Sequence, residues 1–280
     1  MKVLSILGKI LAVTGVLFLA QIVGGMVIAD KSASAPPNLA GPLLYNLVNA
    51  CVVAIASLGS RWRGLRLALA LMALPFGVTI ANMVEAYYFL PVAKAHALLW
   101  IAQSCIGYAV AVPCCLLIFR KSGNDETGAG KNSGIVAVRN GGEILWKFAV
   151  SDLAFIVCYF IAGLIILPYT RSFYLAQGPL PTLSLVLGVQ LLFRGPLFMG
   201  LCLLLFQMLG LQRVRGAIAA GALFAILGVA PLTMPNSYMP DYVRHVHFFE
   251  ILGSYLVFGI IIGLLWGRTK TTSQVLSQAA

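Results

Sequence analysis

Gly59-Ser60-Arg61-Trp62-Arg63-Gly64-Leu65-Arg66 breaks an apolar sequence with three arginines in eight residues. Residues 42–58 before it and 67–84 after it carry no charge at all. Two long uncharged runs joined by a short basic turn read as a pair of membrane-crossing helices whose connection stays on the cytoplasmic side.

The pattern repeats along the chain. Apolar runs cover residues 4–29, 42–58, 65–89, 93–119, 144–167, 183–209, 216–232 and 246–266. Each is near the length of about 20 residues that crosses about 30 Å of hydrocarbon at a helical rise of 1.5 Å. Of the 280 residues, 60% are hydrophobic and 10% charged, and the mean hydropathy is +0.95. Soluble domains carry about 25% charged residues, so this chain lacks the polar surface to face water. Backbone groups in lipid must bond within their own segment, which selects helices. The expected fold is all-α: a polytopic transmembrane bundle of about eight spans.

The charges set an orientation. Lys2, Lys9, Arg61, Arg63, Arg66, Arg120, Lys121, Lys131, Arg139, Lys147, Arg213, Arg215, Arg268 and Lys270 all fall in alternate gaps or at the termini. Only Lys31, Lys94, Arg171, Arg194 and Arg244 fall in the other set. A 14-to-5 division of the 19 basic residues predicts both termini in the cytoplasm of a plasma membrane, and the short loops suggest a bacterial inner membrane. Tyr87, Tyr88, Trp100, Trp146 and Trp266 lie near span ends, as interfacial aromatics do.

The net charge of +11 does not point to nucleic acid, because the basic residues flank spans and form no basic, aromatic-interleaved stripe. Anionic headgroups are the simpler counterpart, so the expected partner is the lipid bilayer. The six cysteines lie inside apolar runs without CxxC spacing, which makes them small buried hydrophobes.

The two halves of the chain resemble each other. Residues 9–28 align without gaps on 147–166, placing Gly25 on Gly163. Gly41-Pro42-Leu43 matches Gly195-Pro196-Leu197, and Arg61-Trp62-Arg63-Gly64 matches Arg213-Val214-Arg215-Gly216. Leu90-Pro91 and Met239-Pro240 each precede a histidine-bearing segment and a last span. Four matches in one order predict a tandem duplication, with a four-helix repeat at 1–120, a mobile cytoplasmic linker at 121–143, a second repeat at 144–268 and a tail at 269–280. Four spans return the chain to its starting side, so the repeats share one orientation. The first span, whose Lys2, Lys9 and Ser-Ala-Ser-Ala also fit a signal peptide, then has a partner in the fifth and reads as a retained helix.

Small residues recur at helical spacing. Gly259, Gly263 and Gly267 on the last span, and Ala217, Gly221 and Ala225 on the seventh, form stripes that let helices approach closely. They serve packing within the chain, or a homodimer seam through the three glycines.

Ionisable residues within spans mark candidate sites, since each costs a few kcal/mol near the bilayer centre. Glu85, Arg194 and Glu250 fall in the outer half of their spans, and His96, Arg244, His245 and His247 gather at the same level. Glu85, His96, Arg194, Arg244, His247 and Glu250 form the candidate polar cavity. His247 and Glu250, three apart, share a helix face. His245 is about 140° from Glu250, so His245, His247 and Glu250 are a weak metal set that needs a further ligand. Arg194, beside Pro196, sits where a broken helix is expected; it either pairs with Glu85 or Glu250 or reaches headgroups. Asp152, near Lys147, reads as an ordinary residue close to the cytoplasmic face.

No G-x-S-x-G, H-E-x-x-H or P-loop pattern is present, and no catalytic residue or cofactor is expected. The favoured expectation is a small-solute or ion permease with an outward-facing polar cavity. The alternatives are a non-catalytic scaffold or regulator that meets a membrane-protein partner through the linker, and an outer-face metal-dependent enzyme.

Overall fold

In the computed structural model, which describes residues 2–27, 39–120, 140–211, 213–234 and 239–267, every one of these apolar runs is helical. The helices are α1 (Lys2–Val27), α2 (Ala40–Gly59), α3 (Gly64–Phe89), α4 (Pro91–Ile118), α5 (Gly141–Gln177), α6 (Leu183–Val189), α7 (Gly195–Leu209), α8 (Arg213–Val229) and α9 (Asp241–Trp266). A π-helical turn, Gln190–Arg194, joins α6 to α7 in one continuous span, and a 3₁₀ turn, Ala230–Thr233, extends α8. Among the described residues eight helices are thus long and apolar enough to cross a bilayer, the form of a multi-pass membrane protein. Residues 121–139 of the linker, the tail from 268, Lys31 and the segment 235–238 lie outside the described residues.

Most span ends fall where the hydropathy puts them, with one clear difference. The fifth apolar run was read as 144–167, yet α5 continues through Pro168 to Gln177, about 55 Å in all at 1.5 Å per residue. A proline inside a membrane helix is tolerated when neighbours hold the segment beyond it. Here Phe173 packs with Leu90 and Val243 in a separate apolar cluster, and Tyr174 meets Phe89 edge-on at 5.6 Å. At its other end α5 starts at Asn140, whose side chain accepts from the Glu143 N–H at 2.8 Å, a standard N-cap.

In the first four spans α4 packs on α1 and α3, and α1 on α2; in the last four α9 packs on α5 and α8, and α5 on α7. Between the sets, α3 meets α7 and α2 meets α8. One end of the bundle is basic: Lys9 lies over Phe119, Lys147 over Trp266, and the Arg61 N–H donates to the Met208 carbonyl at 3.3 Å. Glu85, Tyr174 and His247 come together toward the opposite end. Fully buried Phe198, Phe206, Phe224 and Phe258 form the core, while Leu65, Leu98, Leu164 and Leu192 belong to a broad exposed apolar belt suited to lipid.

The small-residue stripes meet within the chain. A Cβ on Gly259 would lie 2.5 Å from the Gly221 Cα, and one on Gly221 would lie 2.9 Å from the Leu256 carbonyl. Gly263 abuts Ala217, and Gly267 abuts Phe206 and Arg213. Gly259, Gly263 and Gly267 are buried this way, so the face proposed as a homodimer seam is already used by α8 and α7. Gly259→Leu is expected to lower stability by about 1–3 kcal/mol through overpacking. Gly253→Leu should be near neutral, because no described atom lies within 4 Å of its Cβ position. Equilibrium unfolding in mixed micelles distinguishes the two.

Candidate functional site

Pro196 has no N–H and cannot continue the hydrogen-bond ladder of α6. The chain widens instead into the π turn, closed by the Gly195 N–H donating to the Gln190 carbonyl, and α7 restarts with Pro196 in its first turn, where the missing donor costs nothing. Arg194 is the last residue of that turn and is only 2% exposed. It does not reach headgroups, which removes that expectation.

Its guanidinium is held by three acceptors. Nη1 pairs with Glu85 Oε2 of α3 at 2.8 Å and donates to Gln190 Oε1 at 3.0 Å, while Nη2 donates to the Tyr255 hydroxyl of α9 at 3.2 Å. Tyr255 passes its own proton to Asn82 Oδ1 at 3.2 Å. The rings of Phe155, Tyr159 and Phe198 surround the cation, with centroids 5.9, 5.7 and 5.2 Å away. Aromatic faces and a carboxylate together offset the desolvation of a buried cation. Tyr159 is directed at the same Glu85 carboxylate.

A second arrangement lies beside the first. His247 Nδ1 is 2.8 Å from Glu250 Oε2, and Nε2 is 2.7 Å from the Tyr174 hydroxyl. With Glu250 ionised, Nδ1 donates to the carboxylate and Nε2 of the neutral ring accepts from Tyr174. Arg194 thus pairs with Glu85, and Glu250 with His247.

Of the candidate residues, Glu85, Arg194, His247 and Glu250 therefore converge, and the others do not. Arg244 is bound at 2.5 Å by Asp241 on its own helix turn. His96 stacks on Trp100 at 5.8 Å and 24°. His245 is exposed, about 200° round the helix from His247, so the set His245, His247 and Glu250 does not close on one point. Among the described residues no group of three His, Cys, Asp or Glu side chains is placed to hold a metal.

Gln190, Tyr159, Tyr174 and Tyr255 were not singled out from the sequence, although the four-residue spacing of Gln190 and Arg194 was a usable signal. A neutral cluster was also missed. The Asn46 amide donates to Gln21 Oε1 at 2.7 Å, the Gln21 amide donates to the Met234 sulfur at 3.6 Å, and Tyr45 and Tyr108 share a hydrogen bond of 3.1 Å. Two asparagines within the apolar run 42–58 were the clue to it.

A surface groove lies beside the site. A groove of about 470 Å³ lies between α3 and α6, lined by Val84, Tyr88, Leu185, Gly188, Leu192 and Phe193. A small cavity of about 10 Å³ shares Tyr88, Leu185 and Val189 with it and reaches Glu85 and Gln190. No protein-family model, curated protein or solved structure matches this chain.

Proposed function

We propose that this protein is a small-solute or ion permease of the plasma membrane, built from two four-span repeats of like orientation with both termini in the cytoplasm. The observation that carries this reading is the buried Arg194–Glu85 pair, which links the second span of one half to the third span of the other from a π-helical turn. A charge pair at such a joint has to break or re-form when the halves move, and its partial counter-charges can pass to a solute.

The duplication is supported by packing as well as by sequence. In each half the last span lies against the first and third. Tyr159, Arg194 and Tyr255 from spans one, two and four of the second half meet Glu85 from span three of the first, and Gln21 and Asn46 from spans one and two of the first half reach Met234, just past span three of the second. The linker at 121–143 joins the repeats in this reading, and the basic end of the bundle faces the cytoplasm.

The test is flux into proteoliposomes for a panel of radiolabelled amino acids, sugars, organic amines, sodium and potassium. At least one class should enter faster than into empty liposomes, and Arg194→Ala and Glu250→Gln should each slow it by about tenfold or more. Entry at the empty-liposome rate for every class, or rates unchanged in both variants, would overturn the reading. The tight packing round Arg194 favours one other reading, a non-catalytic scaffold in which the pair only fixes the helices. That reading expects a membrane partner that co-purifies and is lost when residues 121–143 are deleted.

A further inference from the structure

We infer that the groove between α3 and α6 takes a single-chain amphiphile with a protonated amine head, entering sideways from the lipid and placing its ammonium at Glu85. This names the class of solute and rests on reading the Glu85–Arg194 pair as a solute site.

The groove is mostly apolar, with Ser184 and Tyr88 its polar side chains, and is open to lipid, with Leu185, Leu192 and Phe193 all exposed on its wall. Its volume of about 470 Å³ is within the range of ligand sites. A chain moving from lipid into such a groove gains little, because both surroundings are equally apolar. The head must therefore decide what binds.

The group at the inner end is a carboxylate. Glu85 and Gln190 both line the inner cavity and both bond Arg194, but Gln190 is 1% exposed whereas the Glu85 side chain is 26% exposed. Arg194 is 2% exposed and does not line the cavity, so an acidic head there would meet the Glu85 carboxylate. Of the residues that line that cavity Glu85 alone is charged, so a cationic head suits it. Tyr88 lines both groove and cavity one turn from Glu85, where its ring can take one side of an ammonium.

The probe is tritiated dodecylamine, bound at equilibrium to the full chain in phosphatidylcholine nanodiscs with empty nanodiscs subtracted. Dodecanol and dodecanoate serve as competitors with the same tail. Dodecylamine should bind saturably, dodecanol should compete about tenfold less well, and dodecanoate less well still. In Glu85→Gln the preference for amine over alcohol should fall to about twofold or less. Gly188→Trp should weaken the amine by about tenfold. No described atom lies within 4 Å of the Gly188 Cβ position, so that variant fills the groove without disturbing the helix, and it decides the matter if Glu85→Gln does not fold. Equal competition by all three heads, or wild-type binding in Gly188→Trp, overturns the inference. Amine binding in this order without flux of any solute removes the permease and leaves the groove site standing; flux without amine binding does the reverse.

Discussion

Glu85→Ala is expected to destabilise the folded protein by about 3–5 kcal/mol, the usual cost of removing one member of a buried ion pair. Insertion scales for an unpaired arginine at mid-membrane give a similar figure of about 3 kcal/mol. Arg194 would keep Gln190 and Tyr255 as acceptors, but both are neutral. Glu250 would remain as a counter-charge, already hydrogen-bonded to His247. The loss should appear in equilibrium unfolding in mixed micelles as a shifted midpoint at unchanged slope. Removing both members should undo it: Glu85→Ala with Arg194→Met is expected to be as stable as wild type or more so, because an apolar pair of similar bulk avoids the desolvation of two ions. Arg194→Lys should not rescue, since one ammonium cannot reach Glu85, Gln190 and Tyr255 in the fork geometry that the guanidinium provides. If Glu85→Ala unfolds at the wild-type midpoint, the pair does not hold α3 to α7 and the proposed joint between the halves is lost with it.

What the sequence made legible follows from what lipid enforces. Basic residues are excluded from hydrocarbon, so the gaps at Arg61–Arg66 and Arg213–Arg215 mark span ends without reference to any neighbour. The glycines of α9 and the small residues of α8 are four apart, and helical periodicity alone puts them on facing stripes. His247 and Glu250 were likewise placed by local geometry. The features that were not legible depend on contacts between distant helices. Nothing near Pro168 shows that Phe173 will be captured by Leu90 and Val243. Nothing near Arg194 decides between Glu85 and Glu250, because the choice is made by how α3 lies against α7. Position along a span gives depth but not the face a side chain occupies, so the burial of Asp152 was not legible. Asp152 is 5% exposed, and its Oδ1 has no hydrogen-bond partner among the described residues.

That carboxylate leads to the second large effect. Gly195→Ala is expected to destabilise the protein by about 1–3 kcal/mol, although the backbone itself would welcome alanine. Gly195 has φ −58° and ψ −55°, ordinary helical values, and in a helix alanine is favoured over glycine by about 1 kcal/mol. The glycine is therefore required for space. A Cβ there would overlap Asp152 Oδ1 and lie 3.0 Å from the Gln190 carbonyl, the acceptor that closes the π turn. Asp152 cannot simply swing away, because α5 holds it buried between Ser151, whose hydroxyl accepts from the Trp266 indole N–H, and Phe155, which packs on Phe198 and Phe258. Shortening the opposing side chain is the decisive companion. Gly195→Ala with Asp152→Ala should recover wild-type stability or exceed it, since the clash and the unpartnered buried oxygen disappear together. The sign of the single substitution is the test, read from the same unfolding midpoints. A stabilised Gly195→Ala would mean that propensity governs this position, that α5 does not press on the π turn, and that Arg194 is held from the α3 and α9 sides alone.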